Sequence, residues 1–297
     1  MDALQRYLAE EIAIDHADGL LSRREALRRL GLMGVSAAAA STLLAACARD
    51  REPGAGAGGP TSAAPAGPTP LPTQPITFTG TDGGELQAAW APAAGQPFGG
   101  VLVIHENRGL TDHIRSVAGR LAASGYSALA LDLLSEEGGT AALGDSANAT
   151  AALGKVPPER FVRDMKAAIG ELGLRVPGAR LAAIGFCFGG GMVWRLLASG
   201  EPRLSAVVPF YGPLPEKPDF SKSGAAVLGV YAASDTRITG TKDQAEAALT
   251  KAGLPHELVV YPGVDHAFFN DTGARYDPTA AAQAYQKMLD WFGRYLA

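Results

Sequence analysis

Downstream of residue 76 the chain alternates between two patterns, and this constrains its fold more than any other feature. Short apolar runs read ITFTG, ELQAAWAP, GGVLVIHE, YSALALDLL, ARLAAIGF, LSAVVPFYG, AAVLGVYAAS and HELVVYPG. Between most of them lie helix-like segments, 112–124, 158–174, 189–199, 241–253 and 279–296. The first two runs are joined through TDGG and suit an antiparallel hairpin. The later runs are apolar throughout, as strands covered on both faces should be. Strands alternating with helices predict an α/β domain over 76–297, with about eight strands in a mostly parallel sheet. Helices on both faces make it a three-layer sandwich, with the ligand site beyond the carboxyl ends of the strands.

Three reactive residues fall at the ends of predicted strands. Cys187 follows AAIGF, Asp235 follows AVLGVYAAS, and His266 sits in YPGVDHAFF. Nucleophile, acid, histidine is the triad order of the α/β-hydrolase fold. The strained turn of that fold reads G-x-nucleophile-x-G, and this chain has Gly185-Phe186-Cys187-Phe188-Gly189. Glycines there keep neighbouring atoms clear of a pinched backbone. A helix N-terminus and a nearby imidazole favour thiolate at Cys187. His266 would relay the proton and Asp235 orient its ring. The amide of Phe188 is the first oxyanion donor, and Asn107 in HENRG is the candidate for the second.

Together GFCFGGG, VIHENRGL, ASDTRI and YPGVDHAFFND resemble the dienelactone hydrolase family over roughly residues 76–297. The resemblance implies an α/β hydrolase with a Cys-His-Asp triad, here Cys187, His266 and Asp235. It implies a carboxylic ester or lactone hydrolase of the carboxymethylenebutenolidase type, with no cofactor and no metal. In that family a glutamate touches the resting cysteine and helps activate it, and the matching position is Glu106. Best-known members carry a carboxylate-gripping arginine four residues after the triad histidine. Asn270 stands there in this chain, with Arg275 nearby, and both are assigned to substrate binding together with Tyr211.

Blander roles compete for these residues. A lone cysteine after a strand is usually a small buried hydrophobe. Asp235 can cap the segment TRITGTKD, and Asp265 is the rival acid beside His266. Glu106 can pair with Arg108 or Arg115, and Tyr211 can be core. His105 and His113 suit capping or surface positions, Trp194 suits the core, and Phe186 and Phe188 suit the walls of the site. Residues 134–157 lack periodicity and are a candidate lid.

The first part of the chain reads as an address. Ser22-Arg23-Arg24, with Leu27 three positions later, resembles a twin-arginine export signal. An uncharged run, Gly31 to Ala46, is short for a membrane span. It ends in Leu44-Ala45-Ala46-Cys47, which resembles a bacterial lipobox, so Cys47 is the candidate lipidation site. Residues 1–46 are therefore expected to be a leader, and 47–75 a disordered Gly/Ala/Pro tether. The protein is then an exported, membrane-anchored lipoprotein of the cell envelope, with the twin-arginine machinery as partner. In residues 1–21 apolar positions recur at helical spacing, while Glu10, Glu11, Asp15, His16 and Asp18 read as a solvated face.

Composition narrows the function. A net charge of −4 leaves no footprint for nucleic acid. Two cysteines exclude a disulfide framework or a multi-cysteine zinc site. Without a resolving partner for Cys187, a thiol-transfer role is disfavoured. The leading expectation is a hydrolase of a small lactone or ester acting through a Cys187 thioester. The alternative is a non-catalytic small-molecule binding module on the same fold.

Overall fold

The computed structural model describes residues 1–49 and 64–297. All eight apolar runs are strands: β1 (Gln74–Thr79), β2 (Glu85–Ala91), β3 (Gly99–Ile104), β4 (Tyr126–Leu131), β5 (Leu181–Phe186), β6 (Leu204–Phe210), β7 (Ala226–Ala232) and β8 (His256–Tyr261). They form one sheet in the order β1-β2-β4-β3-β5-β6-β7-β8. The β1–β2 and β2–β4 pairs are antiparallel and the other pairs are parallel. This is the α/β-hydrolase fold. Every residue of β3, β4 and β5 is buried, so these strands carry no alternation. The hairpin strand β1 is an edge, and its residues alternate between exposed and half-buried.

The sheet is covered by α4 (Asp112–Ala123), α6 (Pro158–Arg175), α7 (Phe188–Ala198), α9 (Lys242–Ala252) and α10 (Pro278–Tyr295), close to the five segments expected. Two short helices were not legible: α5 (Ser146–Leu153) and α8 (Thr236–Thr239). From β3 the chain winds first toward β4 and later toward β5. The crevice at this switch point is where a doubly wound sheet presents a ligand site. Cys187, at the end of β5, and the loop after β3 both lie there.

Before the sheet come α1 (Ala3–Ala17), α2 (Arg23–Leu32) and α3 (Ala37–Arg49). Asp2 caps α1 through a reciprocal box with Gln5, and Ser22 caps α2 by accepting from the Glu25 N–H. The three helices share a small apolar cluster of Ala9, Ile12, Ala13, Ala26, Leu30, Ala40 and Leu44. Among the described residues no helix is long and apolar enough to cross a membrane.

The expected tether is corrected in part. Residues 50–63 lie outside the described residues, but the stretch from 64 is docked on the domain. Tyr276 donates its hydroxyl to the Ala64 carbonyl at 2.7 Å, and Arg120 donates to the Ala66 carbonyl at 2.8 Å. The Leu71 N–H donates to the Gly119 carbonyl at 3.0 Å. A Cβ at Gly119 would stand 2.3 Å from the Leu71 oxygen, so glycine in α4 makes room for this strap. Few large side chains did not prevent ordering, because the backbone itself is bound.

Candidate active site

Cys187 sits between β5 and α7 with φ +56° and ψ −119°. A left-handed conformation at a non-glycine residue costs on the order of 1–3 kcal/mol. The neighbours hold it there. The Cys187 N–H donates to the Phe210 carbonyl at 3.1 Å, and the Cys187 carbonyl accepts from Gly191 N–H at 3.1 Å. A Cβ at Gly185 would lie 2.3 Å from the Gly189 oxygen, and one at Gly189 would lie 2.4 Å from the Ile104 oxygen. Both glycines are thus required by close backbone approach. Phe188 opens α7 directly after Cys187, so its N–H has no carbonyl partner within the helix.

Asp235 follows β7 and makes both of the contacts expected of it. One carboxylate oxygen accepts from the Ile238 N–H at 3.4 Å, capping α8, and the other lies 2.6 Å from His266 Nδ1. The rival Asp265 instead accepts from the His266 backbone N–H at 2.6 Å. Orientation by Asp235 leaves His266 Nε2 directed into the site. Cys187, Asp235 and His266 are all buried.

Several side chains differ from expectation. Glu106 does not hydrogen-bond to Cys187, nor does it pair with Arg108 or Arg115. Its carboxylate accepts from Asn270 Nδ2 at 2.6 Å. The amide at 270 thereby fixes the glutamate. Tyr211 is fully buried with φ +36°, and its ring stands 5.0 Å edge-on from His266. It backs the histidine and does not line the cavity. Phe186 and Phe188 are core residues that pack on Phe210 and Phe161, respectively. His105 and His113 are buried, not surface residues: His105 bridges the Glu106 carbonyl and the Leu133 N–H, and His113 pairs with Asp271. Trp194 is core, as expected. Segment 134–157 is not the cover of the site. Its Thr150 hydroxyl donates to the Asn107 carbonyl at 2.8 Å and braces the loop after β3.

The cover is α1. Tyr7 Oη lies 3.1 Å from Cys187 Sγ, and a Glu11 carboxylate oxygen lies 3.4 Å from His266 Nε2. Glu11 is 4% exposed and is also paired with Arg237. Arg275 lines the cavity, but it is engaged by Asp15 at 3.0 Å and by Asp18. The acidic face read as solvated is therefore partly buried against the domain. Helical spacing puts Tyr7 and Glu11 on one face, but nothing local to them names its destination.

These charges set the protonation of the site. Burial, then Glu11, push the Cys187 thiol up, against a lowering by His266. Burial opposes charge on His266, but Glu11, Asp235 and Cys187 outweigh it and raise the imidazole well above its usual range. Burial also raises Asp235, yet the His266 cation holds it below the usual carboxylate range. Among the described residues, Glu11, Cys187 and His266 offer donor atoms within 4.8 Å of one another, near enough to share a metal ion.

The fold agrees with comparison to known proteins. The family profile described as "Dienelactone hydrolase family" matches residues 86–296. The chain belongs to the dienelactone hydrolase family. A Methylorubrum extorquens protein provisionally named carboxymethylenebutenolidase is 35% identical over 218 residues, covering 69% of this chain and 75% of its own. The crystal structure of a Klebsiella pneumoniae protein, provisionally named a dienelactone hydrolase, superposes with a TM-score of 0.65 at 30% identity. It covers 76% of this chain and 100% of its own. A dienelactone hydrolase-like promiscuous phosphotriesterase from metagenomic libraries superposes at 0.64 with 26% identity, over 76% of this chain and 99% of its own. The family match begins at residue 86, so α1, α2 and α3 lie outside it.

Proposed function

We propose that the protein hydrolyses a small lactone or carboxylic ester through a thioester on Cys187. The observation that carries this reading is the left-handed Cys187, held at a glycine-lined turn within 4.8 Å of a His266 ring nitrogen. His266 takes the thiol proton as sulfur attacks the carbonyl carbon. The oxyanion is received by the Phe188 N–H and by the loop carrying Asn107. Collapse breaks the ester C–O bond, and the alkoxide takes the proton from His266. Water then gives a proton to His266 and attacks the thioester. The C–S bond breaks and the proton held by His266 returns to sulfur; the carboxylic acid so formed passes its remaining proton to His266, and from there to water, as the carboxylate leaves. Asp235 holds the imidazole in register throughout. Glu106, fixed by Asn270, helps keep the resting thiol protonated by its charge. Arg275 is the cation at hand for an anionic substrate group.

The test is hydrolysis of dienelactone and a series of aryl esters by the full chain, by the form beginning at residue 47, and by Cys187→Ala counterparts. Turnover that survives the substitution would remove the thioester. A rapidly quenched reaction should yield an acyl mass on the peptide containing Cys187.

The leader carries a second proposal, export by the twin-arginine route and lipid anchoring at Cys47. In support, Arg23 and Arg24 are exposed at the start of α2, and Ala45 and Ala46 are exposed before Cys47. Labelled fatty acid should enter the wild type and not Cys47→Ser; equal labelling of the two would exclude this anchor.

A further inference from the structure

Helix α1 has two buried faces. Ala9, Ile12 and Ala13 pack on α2 and α3, whereas Leu4, Tyr7 and Leu8 join the core of the hydrolase domain. The second face continues through Glu11 to Asp15 and Asp18. Each acidic group on it meets a cation of the domain. Arg237 pairs with Glu11 and lies 3.7 Å from Glu10, with its guanidinium 4.7 Å from the Tyr7 ring centre. Arg275 pairs with Asp15 and Asp18. Gln5 donates to the Gly154 carbonyl at 2.8 Å, tying the start of the helix to the segment after α5.

Burying carboxylates against a protein surface is costly unless each finds a partner. Here two arginines, one in α8 and one in the loop before α10, meet two separate acidic turns, while Tyr7 and Glu11 reach the nucleophile and its base. The space left beside Cys187 is about 70 Å³. Small-molecule sites usually offer roughly 300–1,000 Å³. A few waters fit; an ester with its alcohol does not.

We propose that the catalytic cleft is a docking site for the acidic face of the chain's own N-terminal helix, residues 3–17, which acts as a tethered blocking ligand. The proposal rests on Cys187 being the nucleophile. The docked groups resemble the end of the reaction. Hydrolysis leaves a carboxylate beside a protonated histidine, and Glu11 supplies such a carboxylate against His266. Tyr7 Oη caps the sulfur at 3.1 Å. Burial under the helix and the charge of Glu11 both favour the neutral thiol over the reactive thiolate. If the leader is cut before Cys47, the blocking helix is severed from the enzyme at the same step that anchors it.

The experiment uses the uncleaved full chain with Cys47→Ser, which leaves Cys187 as the single thiol of the two in the sequence. Two double variants are built on it, Tyr7→Ala/Glu11→Ala and Leu8→Glu/Asp15→Lys. Iodoacetamide alkylation is followed by intact mass, and aryl-ester hydrolysis is measured in parallel. Both variants should alkylate at least about 10-fold faster than the parent, and hydrolysis should rise with alkylation. A urea midpoint near the parent's shows that only the helix has left. If Leu8→Glu/Asp15→Lys does not fold, the Tyr7→Ala/Glu11→Ala pair decides, because it shortens two side chains and adds no charge. A parent that alkylates as fast as a free thiol, or variants no faster than the parent, would overturn the proposal. Faster alkylation with no ester turned over would uphold docking and remove the hydrolase reading.

Discussion

The central sheet and the N-terminal helix bury their surfaces by different means. Strands β3, β4 and β5 are buried at every residue and present apolar side chains to helices on both sides. Helix α1 sets Tyr7 and Glu11 against Cys187 and His266 and closes the contact with Arg237 and Arg275. Apolar burial is non-directional and adds with area, so no single side chain closes the sheet. Ion pairs in a confined site depend on each partner: removing one leaves the other buried and unpaired. The sheet is built to stay, and the helix is attached in a way that a few substitutions, or one cut, would undo.

The largest effects should come from the turn that both regions share. In the Tyr7→Ala/Glu11→Ala background, Cys187→Ala should lower ester hydrolysis on the order of 10⁴-fold or more, because binding and the oxyanion donors alone remain. A smaller loss, read from initial rates, would mean that another nucleophile acts. Asp235→Asn keeps a side chain able to cap α8 but loses the charge that orients and stabilises the imidazolium. Rates should fall on the order of 10³–10⁴-fold in a variant that still folds, as read from initial rates and circular dichroism.

On the sheet side, Gly189→Ala places a Cβ 2.4 Å from the Ile104 oxygen, where backbone must move. We expect destabilisation of about 3 kcal/mol in urea unfolding, within the range of overpacked cores. A neutral result would show that the turn is looser than its geometry states.

Proton linkage separates the helix from the sheet. In the docked state His266 is raised, mainly by Glu11 and Asp235 acting against burial. Its stabilising contribution is complete below about 6.5, the value of a free histidine, and is lost as pH rises through the raised value. Asp15 is raised by burial over the opposing Arg275, so docking is likewise favoured where it is protonated. The ratio of alkylation rates, undocked variant over parent, should therefore shrink toward alkaline pH. A ratio that grows with pH would contradict Glu11 as the partner of His266.

The smallest effect serves as a control on ion pairs. Arg163 and Asp82 are paired at 2.9 Å with side chains 47% and 59% exposed. Arg163→Ala should change unfolding free energy by less than about 1 kcal/mol and leave alkylation unchanged.

Much of the domain was legible because its signals are local. Each apolar run became a strand, and the inner ones lack alternation because the sheet is covered on both faces. The convergence of Cys187, Asp235 and His266 was legible for a related reason. Residues just after parallel strands converge at one edge of a sheet, whatever the distance between them in the chain. The partner of Glu106 was not legible, because Asn270 reaches it through a loop whose path depends on packing around Phe268 and Phe269. The docked strap from residue 64 was also hidden. Its composition predicts poor burial, but Arg120, Tyr276 and Gly119 bind its backbone.

By itself the sequence determined the strands, the helices that cover them, the glycine-lined turn at Cys187 and the chain order of its partners. These follow from periodicity and backbone sterics, which act over a few residues. Only the tertiary structure decided what lies over that turn. The acidic face of α1 is equally at home in water or against arginines, and helical spacing cannot choose between them. The choice depends on where Arg237 and Arg275 stand once the sheet has folded, and on the room beside Cys187 that Tyr7 and Glu11 fill.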